Sequence, residues 1–154
     1  MRILIPFLAC AFLLVACKPG NGPAGGQGPG DESDTTALEQ QVMAIHDAAM
    51  PRLAEITDLL AQMRTIRETA PEDPETGKKV IPDGLDPVFD ALKLADQGMW
   101  DWMKAYGDGR DATPPAGRAT FYTNELPKVT KMKDDIDKAI AAAQAWLAAN
   151  APAK

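Results

Sequence analysis

The chain is poor in the side chains that do most chemistry. Among 154 residues it has one histidine and two cysteines. A zinc site built on a single imidazole would need several carboxylates to complete it. Aromatic residues make up only 6% of the chain. With alanine abundant, this favours closely packed helices over a β-sandwich. The longest apolar run, Ile3 to Val15, is 13 residues, too short to span a bilayer. A basic excess is also lacking. The formal net charge is −6, which argues against nucleic acid and against lying flat on an anionic lipid surface. No internal repeat, alternating strand pattern or glycine-rich phosphate loop is visible. What remains is ordinary for a folded domain, 45% apolar and 25% charged.

The first segment reads as an address. Arg2 gives a minimal positive start, the 13-residue apolar run follows, and it ends in Leu14-Val15-Ala16-Cys17. This ending resembles the lipobox of bacterial lipoproteins, with a small residue before the cysteine and leucine three before it. The resemblance implies that residues 1–16 are a signal peptide and that Cys17 becomes the lipidated first residue. Two or three acyl chains anchor stably where one is marginal. Lys18 follows in place of Asp, which by the enterobacterial sorting pattern implies the outer membrane, facing the periplasm. Cys10 would leave with the signal and Cys17 would carry lipid. No free thiol would then remain for a disulfide, a thiolate nucleophile or a metal–thiolate site. With one histidine, most nucleophile–base triads are excluded as well, so no catalytic residue is assigned and an enzyme is not expected.

Six glycines and three prolines crowd the 13 residues Lys18–Gly30. No core can form from such a stretch, so 17–34 reads as the lipidated cysteine plus a flexible spacer. Asp34 or Thr35 suits a helix cap. The domain proper is expected over 35–150.

Three amphipathic stripes follow. Leu38, Val42, Ile45, Ala49, Leu53, Ile56, Leu60, Met63 and Ile66 alternate at spacings of three and four, which predicts a first helix from about Thr36 to Thr69. Pro51 falls inside it and should disturb it near Asp47. Pro71–Gly84 is turn chemistry. Val88, Leu92, Ala95, Met99, Trp102 and Tyr106 mark a second helix starting near Leu85, and Gly107-Asp108-Gly109 should stop it. The third helix should begin between Ala119 and Asn124, with Leu126, Val129, Met132 or Lys133, Ile136, Ile140, Ala143 and Leu147 as its stripe. The fold class expected is all-α, an antiparallel up-down-up three-helix bundle.

One stretch stands apart. Met43, His46 and Met50 share a helix face, because offsets of three and four residues stack on one side. Antiparallel register sets Met99 and Met103 of the second helix level with His46. Thioether plus imidazole is a soft ligand set suited to copper(I) in an oxidising compartment. Methionine is also a common core filler, and its contacts with aromatic rings are favourable without any metal. Carboxylates such as Asp96, Asp101, Asp134, Asp135 and Asp137, and the lysines Lys128, Lys131 and Lys133, read as solvated faces.

His46-Asp47-x-x-Met50-Pro51 followed by Met99-x-x-Trp102-Met103 resembles a group of small bacterial lipoproteins, often labelled viral A-type inclusion protein-like. The resemblance implies an envelope lipoprotein with a helical domain and carries no activity with it. The expected function is therefore a membrane-anchored, non-enzymatic helical interaction or structural module. The alternative is a lipoprotein that binds or buffers copper(I) through His46, Met43, Met50, Met99 and Met103.

Overall fold

A computed structural model describes residues 29–150, so the lipobox-like segment and Cys17 lie outside the described residues. Three helices pack together: α1 Pro29–Thr69, α2 Leu85–Ala112 and α3 Arg118–Ala149, with a single 3₁₀ turn, Pro115–Gly117, leading into α3. No strand of the ladder kind occurs among the described residues; the only extended pairing is the isolated bridge Glu72–Lys79 in the α1–α2 loop. The all-α three-helix bundle is the fold expected from the stripes.

Cross-helix pairs give the directions. Arg67 near the end of α1 meets Asp86 at the start of α2, while Glu39 near the start of α1 pairs with Arg110 at 3.0 Å near the end of α2. Those two helices are antiparallel. Arg52 reaches Asp137 at 3.3 Å and Gln144 donates to Glu55, so α1 and α3 run the same way. The up-down-up order follows.

The core is the three stripes meeting. Val42, Ile56 and Met63 of α1, Leu92 and Met99 of α2, and Tyr122, Val129, Ile136 and Ile140 of α3 are all fully buried. Burying side chains of this size yields about 1.5–3 kcal/mol each, which offsets the cost of ordering three long rods. Leu59 and Phe89 join the core although neither lay on the expected stripes.

Helix ends differ from expectation in three places, each with a physical reason. First, α1 begins at Pro29, so Asp34 and Thr35 lie inside the helix rather than capping it. Thr36 bonds back to the Glu32 carbonyl at 2.9 Å, a helix-interior habit of hydroxyls. Second, α2 runs through Gly107-Asp108-Gly109 to Ala112. Gly109 is there for close approach: a Cβ would lie 2.7 Å from Phe121 Cε2 of α3. Packing, not helix termination, is the role of that glycine. Third, α3 starts at Arg118, leaving Asn124 exposed in its interior and Pro127 well inside the helix. Pro51 likewise lies inside α1, which continues past it to Thr69.

The α1–α2 loop has its own order. The Asp73 carboxylate accepts from the Glu75 and Thr76 amides and the Thr76 hydroxyl. Those bonds, led by the Thr76 amide, hold its pKa below the usual carboxylate value. At the other end of the loop Gly84 caps α2 with φ of 78°, a left-handed conformation that glycine adopts without strain. A Cβ there would also press on the Trp146 ring, whose Nε1 donates to the Asp83 carbonyl at 2.9 Å. One contact thus fastens the end of α3 to the loop that launches α2.

Candidate functional site, the seam between the first two helices

α1 turns Glu39, Met43, His46 and Met50 to one side of its stripe, and the partners of Glu39 and His46 show that this side faces α2. Glu39 holds Arg110, and the His46 ring lies 5.7 Å from the Trp102 ring, tilted by 34°. The register read from the sequence therefore stands: the lone histidine is level with the Met99–Met103 segment. Met99 is fully buried, while Met43, Met50 and Met103 are half-buried and packed against the core.

His46 is nearly enclosed, its side chain 13% exposed. Its Nδ1 lies 2.9 Å from Asp47 Oδ1. A carboxylate can only accept, so Nδ1 carries the hydrogen in this contact.

An aromatic column continues from this point. Trp102 stacks on Tyr106 at 5.0 Å, and Tyr106 meets Phe121 and Tyr122 of α3 at 5.6 and 6.4 Å. Such ring pairs contribute about 0.5–1.5 kcal/mol beyond their area burial. Trp102 Nε1 donates to Glu125 Oε2 at 3.0 Å, and Lys128 Nζ donates to Glu125 Oε1 at 2.6 Å. Glu125 is the one buried charged side chain among the described residues, 5% exposed. The indole N–H and the lysine explain how a carboxylate is tolerated there.

The sequence reading placed neither Glu125 nor Tyr122 in the core. Counting back from Val129 by four and then three along the α3 stripe reaches both. The signal was masked because a glutamate occupied an inward position and because the helix was expected to start too late.

The tyrosine hydroxyls end the column. Both are buried, and neither makes a hydrogen bond of ordinary geometry. The Tyr122 hydroxyl still lies beside the Arg110 guanidinium, and together with Glu39 it raises the arginine's pKa. Burial pushes the Tyr106 phenol up to about 12, with Tyr122 and Glu39 adding to the effect. The unfolded phenol ionises near pH ~10. A raised native pKa gives stability that is present below that value and lost as pH climbs toward 12. Tyr106→Phe should therefore flatten the alkaline limb of a stability–pH curve between pH 10 and 12, read by urea unfolding. An unchanged limb would mean that Tyr106 is not the group lost there.

Other charged groups on α1, α2 and α3 form pairs at the surface. Lys131 pairs with Asp135, Lys133 with Asp137, and Gln97 donates to the exposed Asp101. Lys133 first, then Arg52, hold Asp137 below the usual carboxylate range. Among the described residues, no cluster of three or more His, Cys, Asp or Glu could hold a metal ion, and no helix is long and apolar enough to cross a membrane. A groove of about 290 Å³ runs between α2 and α3, lined by Leu94, Gly98, Trp102, Lys128, Lys131 and Met132 among others. Leu94 is 73% exposed beside it, and Trp100, on another side of α2, is 50% exposed. No family model, curated protein or solved structure matches this chain.

Proposed function

We propose that the chain is a lipid-anchored protein of the bacterial envelope, held through Cys17, whose helical bundle is a non-enzymatic interaction module. The observation that carries the reading is the groove between α2 and α3, with Leu94 standing exposed at its edge. Its floor is apolar at Ala95, Trp102 and Met132, and Lys128, Lys131 and Asp135 stand at its rim. That combination suits the apolar face of an amphipathic helix of a partner protein, with polar side chains of either sign along its border. Two carboxylates near the bundle seams are engaged in structure: Glu125 by Trp102 and Lys128, Asp137 by Lys133 and Arg52. The likeness to the small lipoproteins with the His46-Asp47-x-x-Met50-Pro51 pattern belongs to the same reading.

Metabolic labelling with an alkyne fatty acid tests the anchor. The wild-type chain should take up label and sediment with membranes, and Cys17→Ser should be unlabelled and released. Equal behaviour of the two would remove the anchor. A photoreactive residue at position 94 should give one discrete adduct in intact cells, lost when Gly98→Leu fills the groove. No adduct at 94 or 131 would remove the docking part.

A further inference from the structure

We infer that the groove between α2 and α3 docks a second copy of this chain, the two copies related by a two-fold axis that runs along the groove. The inference rests on the reading of this groove as a docking site, and it names the occupant. Charge decides which occupant fits. On the α2 wall, Asp90 and Asp101 lie one and two helical turns to either side of Leu94, so the three share a side of the helix. Both carboxylates are exposed. On the α3 wall, Lys131 lines the groove, and Lys138 follows two turns later, also exposed. The Trp102–Glu125 bond sets the register of these two antiparallel helices. It puts Asp101 near the level of Lys128 and Asp90 near that of Lys138. The groove therefore has an acidic wall and a basic wall that match in level. Lys131 already holds Asp135, but its side chain is 75% exposed, and an ammonium has three donors to share.

Two such faces meet symmetrically in one of two ways. An axis across the helices sets α2 on α2, acid against acid. An axis along the groove sets α2 of each copy on α3 of the other, acid against base, and does so twice. The second arrangement also lays Leu94, 73% exposed, on α3 of the other copy near the level of Met132, which takes its side chain out of water. Gly98 fits the same contact. It lies inside α2 on the groove, where glycine costs about 0.5–1 kcal/mol relative to alanine. Its own fold does not call for it, since a Cβ there would meet nothing within 4 Å. A bare backbone at that point lets a side chain from outside come close. The face is large enough as well. α2 and α3 run side by side for about 25 residues, roughly 35 Å, and two helices make a face roughly 20 Å wide. Covering it on both copies removes about 1,400 Å² from water, within the range of specific interfaces.

The test is photocrosslinking in intact cells, with the full chain carrying a photoreactive residue at position 94. The adduct should have twice the mass of the chain, and the join should fall within α3 of the second copy, close to Met132. Charge reversal then asks whether the walls pair as inferred. Asp90→Lys with Asp101→Lys makes both walls basic, and Lys131→Glu with Lys138→Glu makes both acidic. All four positions are exposed, so neither variant disturbs the core. Each variant expressed alone should lose about tenfold or more of the adduct, because like charges then face each other across the interface. The two variants expressed together, with different tags, should recover it as a mixed pair. A purely structural role of these side chains would not produce that rescue. An adduct unchanged by either reversal, or no mixed pair, would overturn the inference. An adduct to a different protein in place of a second copy would overturn it too, yet leave the docking reading standing. No adduct at 94 or 131 would remove both.

Discussion

Ile136→Ala is expected to lower the unfolding free energy by about 2–5 kcal/mol, the range for truncating a large aliphatic side chain in a core that collapses only partly around the gap. Ile136 is fully buried on α3, the helix that packs on both others. One turn before it, Met132 lines the groove shared with α2. The next residue, Asp137, holds Arg52 of α1. A cavity at this point loosens both interfaces together. Leu94→Ala serves as the control, because a side chain 73% exposed removes little from water when truncated and should change stability by less than about 0.5 kcal/mol. Urea midpoints read the contrast. Similar costs for the two substitutions would mean that the core does not lie where the three stripes meet.

The second large effect is expected at Glu125. Glu125→Ala takes the acceptor from the buried Trp102 N–H, and an indole donor left dry and unpaired costs about 1–3 kcal/mol. Glu125→Gln keeps an acceptor oxygen and should cost less. Combining Glu125→Leu with Trp102→Phe removes both polar partners and should recover much of the loss, since the penalty comes from the orphaned group rather than from the bond itself. Lys128 is 60% exposed, so Lys128→Ala should change stability by no more than about 1 kcal/mol. If Glu125→Ala unfolds at the wild-type urea concentration, the indole bond contributes nothing and the carboxylate is buried for another reason.

Most of the bundle could be read from spacing because apolar stripes report which face is buried. All nine residues named on the α1 stripe, from Leu38 to Ile66, are buried or pack against the core, and Ala49 at the centre is fully buried. The same spacing placed His46 level with the Met99–Met103 segment, and the ring contact with Trp102 agrees. Helix ends were harder to read, because local punctuation there competes with packing. Gly107 and Gly109 carry a stop signal that Tyr106 and Arg110 override by binding α3 and α1. The acids around Asp34 look like a cap, yet the helix starts before them. Glu125 stayed hidden for a different reason: a glutamate on a stripe reads as a break in it, and only the paired indole and lysine make its burial sustainable.

The early start of α1 has a consequence for how the molecule breathes. Helices α2 and α3 meet α1 from Leu38 and Glu39 onward, while residues 32–34, 36 and 37 are exposed. The exposed residues 32–34, 36 and 37 add little packing to these turns, and helical turns with little packing open at little cost. Amide exchange along α1 should pass from fast to slow over about one turn, just ahead of Met43. The frontier between fraying and locked helix thus falls at the doorstep of the seam where His46 meets Trp102.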